Sequence, residues 1–142
     1  MSTSSLQEFV AKIATRNRIT FADVRRLQRD ILPDGVVDRE QAELLLGIDR
    51  RVARADNAWA DWLVVAIVDF VVWGERPTGT VEGEPAQWLG DVLTRGGTPT
   101  RAGRRIAREV RREAEAVDEP IASLAPEAME QPRVPVEDRM AA

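Results

Sequence analysis

Asp30-Ile31-Leu32-Pro33-Asp34-Gly35-Val36-Val37-Asp38-Arg39-Glu40-Gln41 lies between two apolar helical patterns, and its reading decides the fold. A turn signal between two helical faces predicts a helix–loop–helix unit. Asp91-Val92-Leu93-Thr94-Arg95-Gly96 matches its first half at an offset of 61 residues. The chain therefore reads as two copies of one helical unit.

The first copy has the outline of a calcium-binding EF-hand loop. Such a loop needs oxygen ligands at fixed positions, a glycine sixth and a bidentate glutamate twelfth. Counting from Asp30, the first, fifth and ninth places are Asp30, Asp34 and Asp38, and Gly35 is sixth. Leu32 stands in the third place and Gln41 in the twelfth. The loss at the twelfth place removes two ligand oxygens and one charge. Glu40 is one residue early and points about 100° away on a helix. The expected metal set is therefore Asp30, Asp34 and Asp38 in vestigial form, with weak calcium binding or none. In the second copy Arg95 replaces an acid and Ala102 fills the twelfth place, which predicts no cation binding.

Working outward, Ser5 and Glu8 read as a capping box, with Leu6, Phe9, Val10 and Ile13 on one face behind it. Thr20 opens a second helix, with Phe21, Val24, Leu27 and Ile31 directed inward. Asp38 and Gln41 cap a third, whose stripe is Ala42, Leu45, Leu46, Ile48 and Val52. Asp56 or Asn57 caps a fourth helix that runs to about Trp73. Trp59, Trp62, Leu63, Ala66, Phe70 and Trp73 share one face of it, and valines cover the other. A helix apolar nearly all round belongs at the centre of a bundle. Its 15-residue apolar stretch, with Asp61 and Asp69 inside, reads as too short and too acidic for a bilayer. Pro85 suits the first turn of a fifth helix carrying Trp88, Leu89 and Val92. Thr100 opens a sixth of about 17 residues.

These elements predict an all-α, single-domain bundle of about six helices, built from two degenerate EF-hand-like units. The domain is expected over residues 1–124, and residues 125–142 read as a disordered tail rich in proline and charge.

Composition narrows the function. Cysteine, histidine and tyrosine are all absent. That removes thiolate chemistry and the side chain that titrates near neutral pH. No cofactor is expected, and a non-enzymatic role is favoured. Asp61 and Asp69 are spaced poorly for a catalytic pair, and the tryptophans read as core. The lack of cysteine and of a secretory leader suits a cytoplasmic protein.

Of the 20 basic residues, all but Lys12 are arginine. Arg101, Arg104, Arg105, Arg108, Arg111 and Arg112 fall within an arc of about 120° on the sixth helix, with Ile106, Val110, Ala114 and Val117 opposite. This stripe is the candidate partner-binding face. An acidic protein surface is the expected partner, and the chain's own Glu127, Glu130, Glu137 and Asp138 are one source of it. Nucleic acid ranks below that, because the net charge is −4 and no aromatic interleaves the arginines. Glu109, Glu113 and Glu115 also read as partners for a solvated face.

Pro33-Asp34-Gly35-Val36-Val37-Asp38 with Glu40 and Leu45, the aromatic and acidic central helix, Gly79 and Trp88-Leu89 together resemble a family. It is the bacterial all-α family of the tellurite-resistance TerB-like, degenerate EF-hand-like kind. The likeness covers about residues 20 to 115. It implies a duplicated all-α bundle and a cytoplasmic scaffolding or stress-linked role without catalysis. Arg95-Gly96 departs from that family's acidic turn.

Overall fold

The stretch from Asn57 to Gly74 is one continuous helix, and the rest of the bundle is arranged around it. It forms α4 over Asn57–Asp69 and widens by one turn to a π-helix over Phe70–Gly74 in this computed structural model, which describes residues 3–125. Asp56 caps its start by accepting from the backbone N–H of Ala58. Trp59, Leu63, Val64, Ile67, Val68, Val71 and Val72 are buried. At 18 residues with a mean hydropathy of 1.3 it is long enough to cross a membrane, contrary to the length argument above. Half of it is buried against the other helices.

The remaining elements fall into two equivalent runs. The first is α1 (Thr3–Arg16), β1 (Arg18–Ile19), α2 (Phe21–Arg26, continued as a π turn over Leu27–Ile31), α3 (Arg39–Arg51) and β2 (Arg54–Ala55). The second begins in α4 and continues as β3 (Thr80–Val81), α5 (Glu84–Leu93), α6 (Arg101–Glu113) and β4 (Ala116–Val117). A short α7, Ile121–Leu124, follows. All-α is thus the class, with seven helices among the described residues and two minimal parallel strand pairs, β1–β2 and β3–β4. Parallel pairing needs a long crossover; α2 with α3 supplies the first, α5 with α6 the second.

The copies superimpose in sequence at an offset of 62, one more than the sequence match. Arg18↔Arg54 becomes Thr80↔Ala116, and Ile19↔Ala55 becomes Val81↔Val117. The N–H of Asp56 donates to Ile19, as that of Asp118 donates to Val81. Asp38 and Thr100 are the caps of α3 and α6. Gly35 and Gly97 both hold positive φ, at 80° and 106°, where a side chain would strain the backbone. Conformation, rather than residue identity, repeats: Asn17 takes φ 60° where the second copy has Gly79 at 85°. The first hydrophobic helix packs on the fourth element of its run in each case, α1 on α3 and α4 on α6.

Several sequence expectations need correction. Helix α1 begins at Thr3, so Ser5 lies inside it rather than capping it. Phe21 is 53% exposed although its spacing placed it inward. Trp73 is 49% exposed, turned away from the core that Phe70 enters. Helix α6 has 13 residues because β4 follows at once. Ala125, the first residue of the expected 125–142 tail, is buried and its carbonyl accepts from Arg111 Nη1. The rest of that tail, 126–142, lies outside the described residues.

The cap of α2 carries a pH prediction. Asp23 accepts from the backbone N–H and hydroxyl of Thr20, and both its carboxylate oxygens accept from the single nitrogen Arg16 Nη2 at 2.9 Å. Burial pushes the Asp23 carboxyl up, but the hydrogen bonds from Thr20 and Arg16 outweigh it and hold the group below its ordinary 3.8. A depressed carboxylate stabilises the fold above its unfolded value, and that contribution is lost as pH falls through the folded one. Asp23→Asn should therefore cost about 1–2 kcal/mol at neutral pH. The gap from wild type should close below about pH 3.8. Urea melts across the acid range measure this.

Candidate functional site

The structure places the three candidate metal residues apart in role. Asp30, Asp34 and Asp38 are all exposed. Asp38 is committed as the cap of α3, accepting from the N–H of Gln41 at 2.9 Å. Among the described residues, no group of three or more acids is arranged to hold a metal ion. Gln41, in the twelfth place, is only 5% exposed. Its side-chain oxygen turns back to accept from the N–H of Val37 at 2.9 Å. The loop's own backbone thus takes up the side-chain oxygen of the residue in the twelfth place. Of the capping box read from Asp38 and Gln41 only the forward bond is made; the Gln41 side chain turns to Val37 rather than to Asp38.

The arginine stripe is on one helix, and four of its six arginines are engaged within the fold. Arg105 pairs with Asp61 at 3.1 Å, and Arg112 with Glu109 at 3.4 Å. Arg104 donates to the carbonyl of Pro99, and Arg111 to the carbonyls of Ala122 and Ala125. Arg111 therefore anchors α7 and the residue after it. Arg101 and Arg108 have no ion-pair partner among the described residues. Both apolar ends of the opposite face, Ala114 and Val117, are only half-buried, because α6 ends at Glu113.

Two polar networks bind helices together. Asp49 accepts from Trp59 Nε1 at 2.9 Å and from the Thr100 hydroxyl at 2.6 Å, and Thr100 in turn caps α6 through the N–H of Gly103. One carboxylate thus joins α3, α4 and the start of α6. Arg39 forks onto Glu75 and Glu84, and its guanidinium lies 4.7 Å from the ring centre of Trp88. The hydrogen bonds that Arg39 donates to Glu84 and Glu75 raise its pKa well above its ordinary value. Trp88 Nε1 donates to Glu43 Oε2 at 2.7 Å. That bond, against the opposing effect of burial, holds the Glu43 carboxyl low, with Arg95 assisting.

The sequence reading missed a third constellation, at the β1–β2 end. A shallow groove there is lined by Arg18, Ile19, Thr20, Phe21, Ala53, Arg54, Ala55 and Asp56. Arg18 and Arg54 are register partners on adjacent strands, and both are exposed. Exposed Phe21 lies beside them, with the Arg25 guanidinium 5.8 Å from its ring centre. The signal available in sequence was charge density. Residues 16 to 29 hold five arginines and one acid, Asp23. That segment was absorbed into a helical stripe with Phe21 inside. The approach of Arg54 depends on a pairing 36 residues away, which no local pattern reveals.

Comparison with known proteins adds no name: no family model, no curated protein and no solved structure matches the chain.

Proposed function

We propose that the chain is a non-enzymatic protein-interaction or scaffolding module, acting in the bacterial cytoplasm on an acidic protein partner. One observation carries this reading. Apart from the buried Thr80 hydroxyl, which has no partner among the described residues, the polar side chains between the helices are bound to the fold itself, while large apolar side chains stand on its surface. Asp49 and Arg39 each join two or more segments, and Gln41 ties α3 to the loop before it. Phe21, Val37, Val65 and Trp73 are exposed on helices or beside their caps. Exposed aromatics and arginines on rigid elements are the side chains that dominate protein–protein recognition. The resemblance to TerB-like proteins, with its duplicated degenerate EF-hand-like units and its scaffolding or stress-linked role, supports the same reading. The offset of 62 between equivalent strands agrees with duplication.

Two rival readings are separated by a pull-down and a calcium titration. The tagged protein is used for pull-down from bacterial lysate at moderate salt, with and without nuclease, and with calcium or chelator. Capture of a protein that withstands both treatments is the expected result. Loss of capture after nuclease would make the module a nucleic-acid binder, the reading that the arginine face of α6 first suggested. In parallel, calcium is titrated while amide signals of Val37 and Gln41 are followed. With Gln41 held by Val37, no saturation is expected below about millimolar calcium. Saturation at micromolar calcium would make Asp30, Asp34 and Asp38 a working sensor.

A further inference from the structure

Resting on the interaction-module reading, we propose that the β1–β2 end is the partner surface, and that its occupant is a short acidic peptide segment with an apolar anchor. Arg18 and Arg54 are register neighbours on paired strands. Their backbones are thus about 4.8 Å apart. Like charges placed side by side on a strand pair are unfavourable, and neither arginine has an ion-pair partner among the described residues.

The fold does not require this pair. The second copy builds the same parallel register with Thr80 and Ala116 at the equivalent positions. Its strands are half-buried or buried, whereas Arg18, Arg54 and Ala55 are bare. The repulsion in the first copy is relieved by an anion arriving from outside. A carboxylate can accept from two guanidinium groups at once, through short charge-assisted bonds.

Phe21 supplies the apolar half of the site. It follows the cap of α2 directly, lines the same groove and is flanked by Arg25. Arg25 and Arg29 stand one and two turns further along α2, and both are exposed, as is Arg26. The surface therefore offers one aromatic platform among arginines, which suits a segment pairing an apolar side chain with acidic neighbours.

Charge favours a short peptide over a phosphodiester chain. Asp56 lines the same groove, Asp30 ends the arginine-rich run of α2, and the net charge is −4. A long polyanion leaving the groove meets these acids. A short segment feels mainly the local field, since the Debye length is about 8 Å at physiological salt.

The test uses the full chain and two fluorescein-labelled probes, a peptide of alternating glutamate and leucine and an oligothymidylate, followed by anisotropy. Arg18→Thr with Arg54→Ala carries over the residues that the second copy uses. Wild type is expected to bind the peptide, and the double variant about tenfold more weakly. Arg101→Gln with Arg108→Gln should leave peptide affinity unchanged. Thermal melting of the Arg18→Thr/Arg54→Ala variant should occur no lower than wild type, because a repulsion has been removed. Equal peptide binding by wild type and this variant, or none by wild type, would overturn the assignment. So would tighter binding of the oligothymidylate. Lysate capture that survives in the double variant would leave the interaction reading standing and remove only this surface.

Discussion

Trp59→Ala is expected to lower the unfolding free energy by about 3–5 kcal/mol, the cost of deleting a large buried aromatic side chain. Trp59 is 1% exposed, and its ring centre lies 6.0 Å from that of Trp62. Its Nε1 also donates to Asp49, which holds the hydroxyl that caps α6. The substitution therefore opens a cavity and leaves a half-buried carboxylate with one partner fewer. Trp59→Phe isolates the second effect: it keeps most of the apolar volume and removes the donor. A loss of about 1–2 kcal/mol is expected there. Chemical denaturation of the two variants checks both values. A Trp59→Ala variant within about 1 kcal/mol of wild type would show that α4 is not the centre of the bundle.

The same helix shows what was legible in the sequence. Its caps, its length and its apolar breadth are local properties, and Asp56, Pro85 and Thr100 all begin helices where their side chains predict. Facing is harder. Phe21 and Trp73 lie at helix ends, where periodicity gives a direction but not whether a neighbour exists to cover it. The repeat was visible as Asp30–Gly35 against Asp91–Gly96. Its register was one residue off, because the match rested on residue identity. What the fold repeats is a positive φ at Gly35 and Gly97 and a cap at Asp38 and Thr100. The twelfth place of the EF-hand outline, already read as lacking its carboxylate, is where tertiary structure adds something the spacing does not show. Gln41 has the right position to ligate, but an amide inserted under its own loop satisfies Val37 instead. The candidate surface at Arg18 and Arg54 needed a tertiary pairing, which lay beyond any window of local pattern.

Arg39→Ala is expected to cost about 2 kcal/mol, taking the charged hydrogen bonds to Glu75 and the stacking on Trp88 together. Glu75 is largely shielded, so losing its partner leaves a desolvated carboxylate. The arm to Glu84 reaches into solvent and adds little, since exposed pairs are screened. Arg39→Lys should recover less than half of the loss, because an ammonium has no planar fork to meet both oxygens of Glu75 and no flat face to lay on an indole. The comparison with the second copy sharpens the argument. Arg101 is the equivalent residue, the first of α6, and it is exposed where Arg39 is clamped. Arg101→Ala should therefore change stability by less than about 0.5 kcal/mol. Denaturant melts of the two alanine variants side by side measure the contrast directly. Equal losses would mean that the first position of these helices matters through the helix itself; the expected inequality places the energy in Glu75 and Trp88, groups of the second run that Arg39 of the first run reaches.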